Sequence, residues 1–264
     1  MMDPAEAPNL NYAWCSLLVE ELIRQGVAGF VISPGSRNAP LTVSVARNER
    51  ARYWMHFDER GAAFFALGLA KATGNPAVLI CTSGSATANY WPAVVEADAS
   101  GIPLIIVTAD RPPELLDCGA NQAIKQSDLY GSYVRWECTL PCPTPDIDPA
   151  YVLSTVDQAI SRSRASKPGP VHLNCMLREP LAPNADGTIS DHYSDKLSSW
   201  ESRAEPYTVY GGGCPTLTDE VQAHLLKSIQ SCDSGLLVFG ALTTKDETAR
   251  AAALARELGW PVFA

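Results

Sequence analysis

A glutamate, two arginines and a set of amides and hydroxyls stand at joints where an apolar run of the chain gives way to a polar one. In HFDERGAAFF, residues 56–65, Asp58, Glu59 and Arg60 separate a stretch of strand character from a stretch of helix character. A carboxylate at a strand end has the chemistry of a proton donor or acceptor. The alternative is an acid that complements the positive end of a helix, worth about 0.3–1 kcal/mol. Asp58 fits that second role as an N-cap and Glu59 gains less from it, so both readings of Glu59 stay open on the residues alone.

Three further runs have the same placement. In SPGSRNAP, residues 33–40, Gly35 lets the backbone turn close to a ligand, and Ser36 and Arg37 suit a carboxylate or phosphate beside a helix N-terminus. The same run also reads as a plain strand-to-helix turn with a capping serine and a surface arginine. In TSGSATAN, residues 82–89, Thr82, Ser83 and Gly84 offer hydroxyls and backbone amides, against the alternative of another capped helix start. ADRPPELLDCGANQAIKQ, residues 109–126, is more unusual, because Asp110 and Arg111 precede a double proline and GANQ follows within one long loop. Arg111, Asn121 and Gln122 are donors suited to carboxylates and hydroxyls. A long loop between strands is more often functional than filler.

These joints need elements to hold them together. Trp14, Leu18 and Leu22 recur every four residues, Glu20 and Arg24 pair one turn apart, and Gly26 is a stop, which predicts a helix over residues 11–25. GFVIS (29–33), YWMHF (53–57), AVLICT (77–82), PLIIVT (103–108), VRWECTL (134–140) and PVHLNC (170–175) read as strands. Helical patterns fall between them, one beginning at Pro40, others over residues 60–73, 86–99 and 150–164. The alternation predicts an α/β fold, a parallel sheet with helices on both faces. Ligands of such sheets sit outside the carboxyl ends of the strands. PGSR, FDERG, TSGSATAN and ADRPPE all fall there.

The expected division is a tail over residues 1–9, a first α/β domain over 10–183, a linker over 184–217 and the start of a second α/β domain over 218–264. The linker is rich in Pro, Gly, Ser and Asp. The last stretch shows a helix over 218–231, a strand GLLVFG, a helix opened by a Thr244–Glu247 capping box and a strand PVFA. One such unit does not make a domain core, so the chain is expected to be a fragment of a larger enzyme or one segment of a fused polypeptide.

Charge and composition exclude several classes. A net charge of −9 argues against a general nucleic-acid binder, which needs a basic face. No run approaches the ~18 apolar residues of a spanning helix, and the first residues carry neither a signal-peptide nor a transit-peptide pattern. The eight cysteines form no C-x-x-C pair and the four histidines no H-x-x-x-H pattern, so reduced thiols and no protein-held metal are expected.

SPGSRNAPL, HFDERGAAFFALGLAKATGNPAV, TSGSATANYWPAVVEA, VTADRPPELLDCGANQAI and GPVHLNC together resemble the N-terminal, pyrimidine-binding domain of thiamine-diphosphate enzymes. Within that superfamily they resemble the SEPHCHC synthases of menaquinone and phylloquinone biosynthesis; PGSR and ADRPPE…GANQ are the discriminating runs. The resemblance is dense over residues 10–183 and thinner from GLLVFG onward. It implies that Glu59 hydrogen-bonds N1′ of the cofactor's aminopyrimidine, which favours the imino tautomer that removes the C2 proton. It implies substrate binding by Ser36, Arg37, Arg111, Asn121 and Gln122, and a pyrimidine-side wall at Thr82, Ser83, Gly84 and Asn89. The implied reaction is decarboxylation of 2-oxoglutarate and conjugate addition of the resulting carbanion to isochorismate. The implied working protein is a homo-oligomer, a dimer or tetramer, cytoplasmic in a prokaryote or in the plastid of a photosynthetic eukaryote.

The chain departs from the superfamily at one point. The superfamily holds the diphosphate and Mg²⁺ or Mn²⁺ through a G-D-G run and a following asparagine in a separate domain, and no G-D-G occurs here. The chain by itself is therefore expected to be inactive. Two other readings stand beside this one. One is a thiamine-diphosphate 2-oxo-acid decarboxylase or acetolactate-synthase-like enzyme. The other is a non-catalytic α/β binding module, although neither G-x-G-x-x-G after the first strand nor G-x-x-x-x-G-K-[ST] occurs.

Overall fold

The computed structural model describes residues 7–187, 189, 195–211, 216–242 and 245–264. The chain divides into two compact units, Met1–Gly211 and Gly212–Ala264.

Six strands form the sheet of the first unit: β1 (Gly29–Ile32), β2 (Tyr53–Met55), β3 (Ala77–Cys81), β4 (Leu104–Asp110), β5 (Glu137–Leu140) and β6 (Val171–Met176). Every pairing is parallel, in the order β2-β1-β3-β4-β6-β5. The helices are α1 (Leu10–Arg24), α2 (Ala39–Ala46), α3 (Glu59–Thr73), α4 (Ser85–Ala88), α5 (Trp91–Ser100) and α6 (Ala150–Ser163). Successive strand residues point to opposite faces. Phe30, Ile32, Val78 and Ile80 pack with α1, α2 and α6, while Val31 and Leu79 pack with α3 and α5. Because helices cover both faces, β1, β3 and β4 are buried at every residue, which is why they read as unbroken apolar runs. The edge strand β2 leaves Tyr53 and Met55 exposed.

Helix ends follow local chemistry. The Asn9 side chain accepts the Tyr12 N–H at the start of α1, and Asp58 Oδ1 accepts the Gly61 N–H, 2.6 Å away, at the start of α3. Gly74 closes α3 in the left-handed region, φ 70°, where a side chain is disfavoured. The single helix expected over residues 86–99 is two, α4 and α5. Pro92 is the cause, since it lacks an N–H and its ring excludes a helical turn before it.

Part of the stretch expected as a linker is packed on this unit. The single helical turn Ser198–Glu201 buries Trp200 completely, and Leu197 beside it. The Arg24 guanidinium lies 3.8 Å from the Trp200 ring centroid.

The second unit contains α7 (Asp219–Gln230), β7 (Leu237–Val238), α8 (Lys245–Leu258) and β8 (Val262–Phe263), with β7 and β8 parallel. Thr218 Oγ1 accepts the Val221 N–H at the start of α7. Thr244 of the expected capping box lies outside the described residues. Among its described residues none is buried, as befits two short strands and two helices. No described helix of the chain is long and apolar enough to cross a membrane.

Candidate active site

All six strands point the same way, so the four polar joints share one edge of the sheet. From β1 the chain passes to β2 on one side, then crosses to β3 on the other, which makes the β1/β3 boundary a topological switch point. The loops after those two strands meet there. A Cβ placed on Gly35 would lie 2.4 Å from Thr82 Cβ. The close approach that Gly35 permits is thus to Thr82, the neighbouring loop, rather than to a ligand.

Glu59 opens α3, one residue after its cap. Asp58 already satisfies the first turn, as the sequence suggested, and the Glu59 carboxylate makes no hydrogen bond or ion pair among the described residues. It is half-buried and near enough to Cys81, at the end of β3, to help raise that thiol, though burial is the larger cause. A Cβ on Gly61 would strike the His56 ring at 2.6 Å, so the first turn of α3 packs closely on the residue that follows β2. Tyr53, Met55, Phe57, Phe64 and Phe65 are exposed around it.

Arg37 is not the surface arginine of the plainer reading, and Ser36 is not the cap. Arg37 is 9% exposed, and the α2 cap position falls on Asn38. Arg37 Nη1 donates to Leu177 O at 2.9 Å, Nη2 lies 3.4 Å from Glu179 Oε1, and Nε has no partner among the described residues. Arg111, 7% exposed at the end of β4, leaves Nη1 without a partner in the same way. Burial and then the Arg37 guanidinium lower the Arg111 pKa, against Asp110 and Glu179, which raise it. Two guanidiniums with spare donors, balanced partly by buried Asp110 and exposed Glu179, have the chemistry of an anion site. Ser36, next to Arg37 in the chain, is exposed.

Thr82 and Ser83 are buried, and Ser83 Oγ has no partner among the described residues. Gly84, at φ 84°, spends its N–H on Gln126 Oε1 at 2.8 Å, so that amide is not free for a ligand. A Cβ on Gly84 would come 3.0 Å from Gln122 O, which sets Gln122 beside this turn; Gln122 is exposed with φ 59°. Asn121 is exposed in the same loop. Asn89 is exposed at the end of α4, its amide donating to Ser85 O, and no hydrogen bond among the described residues joins it to the other candidates. A cavity of about 390 Å³ lies under the loop, lined among others by Asp110, Asp117, Lys125 and Gln126.

Sequence reasoning missed the buried polar residues behind these groups. Gln126 Nε2 donates to Asn174 Oδ1 at 2.8 Å and to Ala109 O at 3.2 Å. Asn174 Nδ2 donates to Asp110 Oδ2, and Asp110 Oδ1 accepts the Arg111 N–H at 2.7 Å. Thr108 Oγ1 donates to Asn174 Oδ1 and meets His172 Nε2 at 2.8 Å. The signal was present: His172 and Asn174 are polar at alternate positions of a strand buried on both faces, where an unpaired polar group is costly.

Residues 15–129 match the family described as "Thiamine pyrophosphate enzyme, N-terminal TPP binding domain", the cofactor also called thiamine diphosphate. The chain is 45% identical over 258 residues to the 2-succinyl-5-enolpyruvyl-6-hydroxy-3-cyclohexene-1-carboxylate (SEPHCHC) synthase of Salinibacter ruber, covering 98% of this chain and 44% of that protein. It is 47% identical over 251 residues to the synthase of the same name from Chlorobaculum tepidum, covering 95% of this chain and 43% of that one. With the Aeromonas salmonicida synthase it shares 44% identity over 266 residues, 100% of this chain and 45% of the other. The chain thus spans less than half the length of the curated relatives it matches.

Proposed function

We propose that the chain, similar to the thiamine pyrophosphate enzymes over residues 15–129 and to SEPHCHC synthases along nearly all its length, supplies the activating carboxylate and an anion pocket of such a synthase. The observation that carries the reading is one edge of the sheet that holds an unpaired Glu59 together with two buried arginines bearing unpartnered donors. The proposed overall reaction is decarboxylation of 2-oxoglutarate and conjugate addition to isochorismate.

The donor set fits the cofactor. A carboxylate with no partner of its own is what an aminopyrimidine N1′ needs, and Ser83 Oγ and Thr82 lie on the adjoining loop. Thiamine diphosphate, when bound, supplies the nucleophilic carbon that the 2-oxo acid requires. Glu59 holds a proton at N1′. Arg37 and Arg111 bind and orient substrate carboxylates with Ser36, and Asn121 and Gln122 reach substrate hydroxyls from the loop above. Thr82, Ser83, Gly84 and Asn89 form the wall on the pyrimidine side, Gly84 through its backbone position. Mg²⁺ or Mn²⁺ and the diphosphate belong to the portion of the relatives that this chain does not cover.

On this reading residues 10–183 are the pyrimidine-binding domain, the expected linker 184–217 is docked on it at residues 197–208, and 218–264 are the opening of a central domain. The working protein is a cytoplasmic homo-oligomer. The exposed aromatic group around Glu59 supports an assembly in which that face is covered. The test is turnover by a protein of the relatives' full length. Carbon dioxide release from 2-oxoglutarate, coupled to loss of isochorismate, is expected. Release from pyruvate with no response to 2-oxoglutarate would instead identify an acetolactate-synthase-like enzyme.

A further inference from the structure

We propose that Gln126 is a positioning residue whose side-chain amide locks the Thr82–Gly84 turn to Asn174 and, through Asp110, to the root of Arg111. The inference rests on the proposed function, since it assigns a role to a residue behind the proposed binding groups.

The hydrogen bonds form one unbroken chain. Gly84 N–H donates to Gln126 Oε1, Gln126 Nε2 donates to Asn174 Oδ1, Asn174 Nδ2 donates to Asp110 Oδ2, and Arg111 N–H donates to Asp110 Oδ1. It runs from the end of β3, through the 116–127 loop, to the ends of β6 and β4. Gln126 is 1% exposed, Asn174 0% and Asp110 2%, so each link is shielded from competing water. The amide's polarity is fixed. The oxygen must face the Gly84 N–H, because the nitrogen faces two acceptors, Ala109 O and Asn174 Oδ1. A hydrocarbon of the same size would orphan the Gly84 N–H and let the turn and the loop drift apart. A carboxylate would set an oxygen against those two acceptors.

The titratable and charged groups around Gln126 are Asp110 through Asn174 with Arg111 beside it, His172 through Thr108 with Tyr130 against its ring, Glu137, whose Oε2 is 3.4 Å from His172 Nδ1, and Asp117, which lines the same cavity. Lys125 and Asp128 flank it on the loop. The unmodified protein serves as the reference for any pH profile.

The test uses full-length holoenzyme and two variants, Gln126→Met and Gln126→Glu. Thiamine diphosphate affinity in the presence of Mg²⁺ is measured by calorimetry, and the KM for isochorismate by turnover, from about pH 6 to about pH 8.5. Gln126→Met is expected to weaken both by about tenfold at every pH, with kcat changed by less than about twofold. Protonated Gln126→Glu restores one donor and one acceptor, so it is expected near wild type at low pH and to lose affinity as pH rises. That profile decides the matter if Gln126→Met does not fold. A folded Gln126→Met with unchanged Kd and KM, or a flat profile for Gln126→Glu relative to wild type, overturns the proposal. Glu59→Gln is the control for the underlying reading. If Glu59→Gln is inactive while Gln126 variants are silent, only the positioning role fails; if Glu59→Gln turns over normally, the functional reading itself fails.

Discussion

Arg37 and Arg111 bring like charges together in buried positions, offset by the Asp110 carboxylate and, more weakly, by Glu179, whose side chain is 66% exposed. On the proposed function such a pair is held for an anion rather than for stability. Arg111→Ala is therefore expected to raise the KM for the anionic substrate by roughly 10- to 100-fold, the scale of a hydrogen bond to a charged group. Arg111→Lys should recover only part of the loss, since an ammonium cannot reproduce the guanidinium fork. Steady-state kinetics on the full-length enzyme checks both, and an unchanged KM would remove Arg111 from the pocket. Gly35 makes a different residue-level claim. Gly35→Ala must push Thr82 aside and should cost about 1–3 kcal/mol in thermal or denaturant melts. Thr82→Gly in the same chain should recover part of it, because the atoms met are Thr82 Cβ, Cγ2 and Oγ1. The glycine itself was visible in the sequence; its neighbour was not, because β1 and β3 become adjacent only in the sheet.

Two helices and one polar stretch form a clamp that the sequence conceals. Glu21 on α1 accepts the Trp200 indole N–H and the Tyr207 backbone N–H, each at 2.6 Å. Asp157 on α6 accepts from Gln25 Nε2 and the Thr208 N–H, again at 2.6 Å. Burial first, and then the neighbouring Asp157 carboxyl, raise the Glu21 pKa to about 8. A folded pKa above the ordinary carboxylate value means that the folded state binds more protons than the unfolded one across that window. The contribution of Glu21 is complete below about pH 4, where both states are protonated. It declines as pH rises and is gone above about pH 8. Melting temperature should fall over that range as stability drops by up to about 1.4 kcal/mol per pH unit for one proton, and Glu21→Gln should flatten the slope. Trp200→Ala should cost about 3–5 kcal/mol. The helices, strands and stops of the first unit were legible because period, caps and glycines are local. The docking of residues 197–208 was not, because composition places a Pro- and Ser-rich stretch among linkers, while one buried indole and backbone N–H bonds to Glu21 and Asp157 hold it down.

At the scale of the molecule, parallel sheet, two-sided cover and a site at the carboxyl edge all follow from the alternation of short apolar runs with helical patterns. The candidate residues were legible as a set because they cluster at strand ends. Their supports were not, since Gln126, Asn174 and Asp110 meet only after β6 inserts between β4 and β5. The curated relatives are more than twice as long as this chain, so the central claim concerns what Glu59 does within a protein of their length. The most direct measurement is hydrogen–deuterium exchange at C2 of thiamine diphosphate bound to that protein, followed by quenched-flow NMR, for wild type and Glu59→Gln. The account predicts fast exchange in wild type and a loss of about 100-fold or more in Glu59→Gln, the scale of a positioned acid–base group, with the cofactor still bound. Wild-type exchange in the bound Glu59→Gln variant would contradict it.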